Sequence, residues 1–183
     1  MRRLAFALLQ AVLSGLLAGA LVQPRGAHAA SGLAMSSSAT VTAKIAQYRR
    51  QTWHWQRVMG MRPTPTADSA PTDPSLHYGL WIERLWHDRA VRMRRLALHP
   101  PHLSQWLCIH RYEGSWGDSG GPYYGGLQMD ISFQSHYGRD LLVRKGTADH
   151  WTPLEQMWVA ERALRAGRSF YAWPNTARFC GII

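Results

Sequence analysis

The chain has few acidic residues, only two cysteines, no internal repeat, and no long apolar segment after residue 30. Its 183 residues include 11 Asp and Glu against 21 Lys and Arg, which gives a net charge of +10. Such a balance indicates anionic partners. Nucleic acid is not expected among them, because no nucleic-acid-binding motif is present and the basic residues are mostly arginines on predicted helices. After residue 30 no segment is apolar enough to span a membrane.

The N-terminus has the pattern of a secretory signal peptide. Arg2 and Arg3 precede an apolar run over residues 4–22, and Ala27-His28-Ala29 forms a cleavage site before Ala30. We therefore expect residues 1–30 to be removed on export, which predicts a secreted protein. An uncleaved membrane anchor is the alternative, because the apolar run is long for a signal peptide.

Outside the membrane the two cysteines can form a disulfide. With Cys108 and Cys180 alone only one connectivity exists, and the bridge would enclose almost the whole C-terminal region. Closing a loop of that size is worth about 4 kcal/mol in chain-entropy terms, which suits a small domain with a marginal core. Two free thiols are the alternative.

The chain after the predicted signal divides into three parts. A small, polar segment predicts a flexible tether, and amphipathic patterns separated by prolines predict a helical region. A C-terminal domain with both helix and strand signals follows. The tether, the helical region and the C-terminal domain are assigned to residues 31–41, 42–102 and 103–183.

Two helices are predicted in the helical region. Residues 42–59 carry apolar side chains at a spacing of three and four, and Gly60 is placed to end this helix. Ser75 can cap a second helix that runs to about residue 98. Residues 61–74 between them form a proline-rich linker. We expect the helices to pair as an αα-hairpin through their tryptophan-rich faces, with the arginines outside.

The C-terminal domain is predicted to be helical apart from one short hairpin. A helix over residues 103–112 and a strand or hairpin arm over residues 123–129 precede a helix that Asp130 can cap. Thr152 and Glu155 flank a proline in the pattern of a capping box, which predicts another helix start.

Glu113 is the candidate for catalysis, and an ordinary surface glutamate is the alternative. Cleavage of a glycosidic bond requires a carboxylic acid that stays protonated near neutral pH in a partly apolar site, and Tyr112, Trp116 and Tyr124 can supply its walls. Gln128, beside two glycines, can hydrogen-bond an N-acetyl or hydroxyl group. Sugar rings are expected to stack on the aromatic side chains that the C-terminal domain offers: Trp116, Tyr123, Trp151 and Trp173.

A second carboxylate would act as base or nucleophile in a two-acid mechanism. Asp130 is the nearest candidate and Asp118 the next, although capping of a helix is the favoured role for Asp130. Without a second carboxylate, a hydroxyl of the substrate can close on the oxocarbenium-like centre and give an anhydro-sugar. Glu161 lies on the apolar side of its helix, which favours a buried and paired structural carboxylate, and a second active-site acid is the alternative.

A serine protease is a remote alternative. Residues 117–122 have the sequence Gly-Asp-Ser-Gly-Gly-Pro, which surrounds the nucleophile of trypsin-like proteases, and Ser119 would be that nucleophile. Such a site needs His, Asp and Ser in this order on a double β-barrel. The residues before Ser119 instead predict helices and a linker, so a flexible surface loop is the better interpretation.

The C-terminal motifs resemble the transglycosylase-like domain of the resuscitation-promoting factors, which are secreted proteins that cleave the bacterial cell wall. The resemblance covers roughly residues 104–183. It rests on the segments Glu113-Gly-Ser-Trp, Tyr123-Tyr-Gly-Gly-Leu-Gln-Met129, Glu155-Gln156, Ala160-Glu161-Arg162 and Ala172-Trp173-Pro174 with Cys180.

The resemblance implies a mainly helical α+β fold, in which a small lysozyme-like domain with a short β-hairpin follows the helical N-terminal region. It also implies that Glu113 is the catalytic acid, that Gln128 lies in the substrate groove and that Cys108 pairs with Cys180. The sequence departs from the family at two points. Cys108 lies five residues before the glutamate rather than next to it, and Phe133-Gln134 replaces the family's Thr-Trp.

These features predict a secreted or wall-bound peptidoglycan-cleaving enzyme that needs no cofactor and no metal. It would be a muramidase or a lytic transglycosylase acting on the β-1,4 bond between MurNAc and GlcNAc. Its partners would be peptidoglycan glycan strands and anionic cell-wall polymers. A non-catalytic cell-wall-binding module is the alternative.

Overall fold

A computed structural model describes residues 26–66 and 75–183, with side chains described from residue 37 onward. This part of the chain is mainly helical and contains a two-stranded antiparallel sheet, which confirms the predicted α+β class. Most of the predicted signal peptide, residues 1–25, lies outside the described residues, as do residues 67–74 of the predicted linker. No helix in the described ranges is long and apolar enough to cross a membrane.

The described elements follow one another in this order. The helical region contains α1 (Gly26–Val58) and α2 (Leu76–Leu98). The C-terminal domain contains α3 (Leu103–Glu113), β1 (Tyr123–Tyr124), β2 (Met129–Asp130), α4 (Ile131–Tyr137), α5 (Arg139–Lys145), α6 (Pro153–Arg165) and α7 (Pro174–Phe179). Two 3₁₀ turns, Ala148–His150 and Phe170–Ala172, precede α6 and α7. Because α1 begins at Gly26, the prediction of a flexible tether over residues 31–41 was wrong.

Helices α1 and α2 pack side by side and point in the same direction. The Lys44 ammonium lies 3.4 Å from a Glu83 carboxylate oxygen, and further along both helices the rings of Tyr48 and His87 meet edge to face at 5.0 Å. Residue numbers therefore increase in the same direction along both helices from one contact to the next, so the helices are parallel. The predicted αα-hairpin was wrong, because the helices of a hairpin run in opposite directions.

The chain turns back at the end of α1, as a parallel partner requires. Gly60 has a φ of 70° and ends the helix as predicted, and the Met61 N–H donates to the Gln56 carbonyl as in a Schellman motif. The Gln56 side chain then bonds both the hydroxyl and the backbone N–H of Thr64, and the Trp53 indole donates to the Thr64 carbonyl. The first residues of the linker thus lie back along α1.

The helical region docks on the C-terminal domain through α6. The Trp158 indole N–H donates to the Ala97 carbonyl at 2.8 Å, at the end of α2. Arg162 donates to carbonyls of the last turn of α1, and Arg165 donates to the Met59 carbonyl just beyond it. Arginines at these carbonyls satisfy groups that the helix leaves unpaired and complement the negative end of its dipole. Both helix ends are therefore fixed to the domain by hydrogen bonds.

The core of the C-terminal domain is aromatic and is organised by buried amides. The indoles of Trp106 and Trp173 meet edge to face at 5.1 Å and are almost fully buried. Gln156, fully buried on α6, accepts from the Gly126 N–H and donates to the Trp116 and Ala148 carbonyls. One side chain thus ties the hairpin, the loop before it and a 3₁₀ turn to α6.

Glu161 has the structural role that the sequence favoured. It is 2% exposed, and its carboxylate accepts from the His102 backbone N–H at 2.9 Å and from the Trp106 indole at 2.8 Å. The His102 ring lies 3.2 Å from the same carboxylate. These bonds fix the start of α3 against α6, so Glu161 is a buried carboxylate whose oxygens are engaged within the protein.

Acidification is expected to destabilise the fold partly through Glu155. Burial raises the pKa of this carboxyl, but hydrogen bonds from Lys145 and Thr152 and the Lys145 charge outweigh it, so the pKa lies below its ordinary value of 4.5. A carboxyl whose pKa is lowered by folding stabilises the fold at pH values above its ordinary pKa of 4.5. This contribution is lost as the pH falls through the folded-state pKa. We expect the free energy of unfolding, measured by urea titration, to fall less steeply with decreasing pH in Glu155→Gln than in the wild type.

The control for this experiment is Asp88→Asn, which removes a negative charge from an exposed carboxylate on α2. This variant is expected to lose stability with falling pH as the wild type does. If the free energy of unfolding fell equally steeply with decreasing pH in the wild type and in Glu155→Gln, the assignment of acid sensitivity to the Glu155–Lys145 pair would be contradicted.

Candidate active site

Glu113 is the last residue of α3, where the chain leaves the helix through Gly114. Its side chain is half-buried, and its Oε1 accepts a hydrogen bond of 2.7 Å from the Thr176 hydroxyl on α7. No hydrogen bond or ion pair to its second oxygen, Oε2, occurs within the described ranges. The carboxylate is thus anchored on one side and available on the other.

Helices α3 and α7 meet along a seam that ends at Glu113. Cys108 and Cys180 form a disulfide with their Cα atoms 6.0 Å apart, which confirms the predicted pairing. One turn further along α3, the rings of Tyr112 and Phe179 lie 5.7 Å apart. The Glu113–Thr176 contact follows, so α3 and α7 run in opposite directions and the disulfide clamps the seam next to the carboxylate.

The loop over residues 117–122 folds onto the hairpin through Asp118. The Asp118 carboxylate accepts from the Gln128 side-chain amide at 2.9 Å and from the Gly120 N–H at 3.0 Å. Its backbone carbonyl accepts from Gly125 at 2.8 Å. A Cβ placed on Gly114 would lie 3.1 Å from Asp118 and 3.4 Å from the Gln128 amide. Asp118 and Gln128 therefore border the residue that follows Glu113.

Gln128 lies in the turn between the strands rather than on the predicted strand, and it adopts a φ of 47°. Its amide nitrogen donates to Asp118 and to the Gly125 carbonyl, which uses both of its hydrogens. Within the described residues its side-chain oxygen accepts no hydrogen bond. The amide is thus held in place with its acceptor available, and its contact with substrate stays a prediction.

Trp116 and Tyr124, the residues predicted to wall the site, are both half-buried against the core of the C-terminal domain, and their contact with a substrate at Glu113 stays a prediction. The Trp116 ring stacks on His110 at 3.9 Å, and a Cβ on Gly126 would overlap both rings, so only glycine permits this approach. Tyr123, in contrast, is 49% exposed and keeps a ring surface for a ligand.

Two predicted stacking residues are core residues instead. Trp151 is 3% exposed and donates its indole N–H to the Gly146 carbonyl, and Trp173 is 5% exposed and donates to the Leu127 carbonyl at 2.6 Å. Neither ring presents a face to solvent. The prediction that sugars stack on these indoles was wrong, because both positions fill the domain's small core.

Asp130 caps α4, which is the role that the sequence favoured for it. Its Oδ1 accepts from the Phe133 backbone N–H at 2.6 Å. A helix N-cap satisfies a donor that has no partner inside the helix. Asp130 is therefore occupied structurally, as Asp118 is in the neighbouring loop.

Two residues at the seam escaped the sequence analysis. Thr176 contacts Glu113, and Phe179, which is 72% exposed, lies beside Tyr112, which is 55% exposed. The spacing of Thr176, Phe179 and Cys180 at three and four residues is the signal that places all three on one face of a helix with the disulfide.

Ser119 lacks the surroundings of a protease nucleophile. It lies in an exposed loop, and no histidine is hydrogen-bonded to its hydroxyl in the part of the chain that the structure describes. A mainly helical domain with one two-stranded hairpin also differs from the double β-barrel that a trypsin-like site requires.

Comparison of the chain with protein-family models, with curated proteins and with solved structures finds no significant match.

Proposed function

We propose that this protein cleaves the β-1,4 bond between MurNAc and GlcNAc in peptidoglycan, with Glu113 as general acid and then general base. The observation that carries the proposal is the state of the Glu113 carboxylate. It is half-buried, accepts one hydrogen bond from a hydroxyl, and has an oxygen without a protein partner among the described residues. A group that transfers a proton to a substrate must have such an oxygen.

Comparison with the other glutamates strengthens this argument. Glu83 pairs with Lys44, and Glu155 pairs with Lys145. Glu161 is bonded by His102 and the Trp106 indole. Glu113 is the one glutamate with no basic partner in the described residues. A nearby cation would favour the ionised carboxylate and oppose its use as an acid, so this absence suits the proposed role.

The surroundings of Glu113 suit a sugar polymer. On the seam next to Glu113, Tyr112 and Phe179 expose aromatic rings, and carbohydrate rings pack on such faces through their C–H groups. Gln128 offers a fixed amide acceptor next to the loop that follows Glu113. The full sequence carries a net charge of +10, of which the predicted signal contributes three, and the positive charge that remains favours approach to an anionic wall.

We propose an anhydro product rather than a hydrolytic one, because both candidate second carboxylates are engaged in the fold. Glu113 gives its proton to the bridging oxygen as the bond from that oxygen to C1 of MurNAc breaks. The Glu113 carboxylate then takes the proton of the C6 hydroxyl of the same sugar while that oxygen bonds to C1. The products are a free GlcNAc 4-hydroxyl and a 1,6-anhydro-MurNAc end, and Glu113 is protonated again.

Mass spectrometry of purified peptidoglycan incubated with the protein tests this proposal. We expect soluble muropeptides whose MurNAc ends are lighter by one water than those released by a hydrolase. Ends of full mass would show hydrolysis and overturn the anhydro mechanism while keeping the bond assignment. If the protein sediments with the wall but releases nothing, the alternative of a non-catalytic binding module replaces the enzyme.

A further inference from the structure

The Thr176 hydroxyl lies between two acceptors. Its Oγ1 is 2.7 Å from Glu113 Oε1 and 3.3 Å from the Trp173 carbonyl oxygen. A hydroxyl has one proton and donates it to one acceptor at a time. The shorter distance and the acidic acceptor favour donation to Glu113, since hydrogen bonds to charged groups are the shorter and stronger ones.

This donation determines which oxygen of Glu113 can carry a proton. While Thr176 donates to Oε1, that oxygen is an acceptor, so a proton on the carboxyl resides on Oε2. We propose that Thr176 is a positioning residue that keeps the exchangeable proton of Glu113 on Oε2, the oxygen with no protein partner in the described residues. This inference rests on the proposed function. When Glu113 has given up its proton, the same hydrogen bond stabilises the carboxylate that must next act as a base.

The position of the hydroxyl is fixed from several directions. Thr176 is 7% exposed, and its β-branched side chain has few rotamers available. Trp173, which begins this segment, is held by its bond to the Leu127 carbonyl, and Cys180, one turn after Thr176, is linked to Cys108. The hydroxyl therefore presents its proton to Glu113 at a defined place.

A purely structural role for Thr176 can be separated from a positioning role by two conservative variants. Thr176→Val keeps the shape and the buried methyl group but replaces the hydroxyl with a second methyl. Thr176→Ser keeps the hydroxyl but removes a buried methyl. A structural role predicts that activity follows stability in the two variants, whereas a positioning role predicts that activity follows the hydroxyl.

The experiment compares turnover of soluble, uncrosslinked glycan strands with thermal unfolding of the full chain. We expect Thr176→Val to lower kcat by about 10- to 100-fold, the range for one lost hydrogen bond to a charged group, and to leave KM within about twofold. Thr176→Ser is expected to keep at least about a third of the wild-type kcat although it melts at a lower temperature than Thr176→Val.

Each outcome has one interpretation. Equal kcat for wild type and Thr176→Val, or activity that follows melting temperature across the variants, overturns the positioning role. In a Glu113→Gln background, Thr176→Val is expected to cause no further loss, and an additional loss would also count against it. Failure of the wild type to cleave the strands would instead remove the proposed function, so the two failures are distinguishable.

Discussion

Replacing Glu113 with glutamine is expected to lower the release of muropeptides by about 10²- to 10⁴-fold, the contribution of a positioned general acid–base. The amide has the size of the carboxyl, and its oxygen can still accept the hydrogen bond from Thr176. It cannot transfer a proton to the bridging oxygen. We therefore expect the melting temperature to stay close to that of the wild type, because packing and the hydrogen bond are retained. Turnover of purified peptidoglycan, quantified by mass spectrometry of the soluble products, provides the measurement.

Glu83→Gln is the matched control for this variant. It makes the same chemical change at a glutamate on α2 whose partner is Lys44 at 3.4 Å. A partly exposed pair of this kind contributes at most about 1 kcal/mol, and we expect wild-type release of muropeptides. If Glu113→Gln retained wild-type activity, the proton donor would have to be another carboxylate. If both variants lost activity equally, the loss could not be assigned to the chemistry of Glu113.

Removal of the Cys108–Cys180 disulfide is expected to lower the free energy of unfolding by about 4 kcal/mol. The bridge joins residues 72 apart, and a cross-link that closes such a loop restricts the unfolded chain by about this amount. Single domains are stable by only about 5–15 kcal/mol, so the loss is a large fraction of the total. The bridge also clamps α7 against α3 beside the Glu113–Thr176 contact. We therefore expect activity to decline under reducing conditions before the domain unfolds completely.

Urea unfolding with and without a reductant measures this effect. The double variant Cys108→Ala with Cys180→Ala is the control, because it lacks the bridge and cannot respond to the reductant. We expect it to match the reduced wild type under both conditions. A loss of less than about 1 kcal/mol would show that the packing of Trp173 and Ala177 alone holds α7 in place, contrary to the role assigned to the bridge.

Local features of the fold were predictable because their causes lie within a few residues of chain. Thr152 and Glu155 form both hydrogen bonds of the predicted capping box, and Ser75 and Asp130 cap α2 and α4 as expected. Gly60 ends α1 at a positive φ, which costs glycine little. The disulfide was predicted from the presence of two cysteines in a chain whose N-terminus has the pattern of a signal peptide.

The direction in which α1 and α2 pack was not predictable from their apolar faces. An amphipathic helix has the same face in a parallel and in an antiparallel pair, so periodicity does not distinguish the two. The end of α6 decides between them. Trp158, Arg162 and Arg165 bind the C-terminal carbonyls of both helices, and they reach both only when the helices end side by side.

At the candidate site, too, the sequence shows which residues are aromatic, but packing decides which of them are exposed. From the sequence alone, a tryptophan that belongs to the core cannot be distinguished from one whose indole stacks on a sugar. The tertiary structure buries Trp151 beside Gly138 and Trp173 against Trp106. It leaves Tyr112 and Phe179 exposed on the seam between α3 and α7. Exposure depends on what packs over each ring.

The sequence by itself determined the caps of α2, α4 and α6, the end of α1, the pairing of the cysteines and the choice of Glu113 as the candidate acid. Each of these depends on short-range hydrogen bonding, on backbone conformation or on a count of residues. Only the tertiary structure determined that Thr176, 63 residues away from Glu113, donates to its carboxylate, and that Asp118 and Asp130 are occupied within the fold. Such contacts arise from the packing of distant helices, which no local pattern specifies.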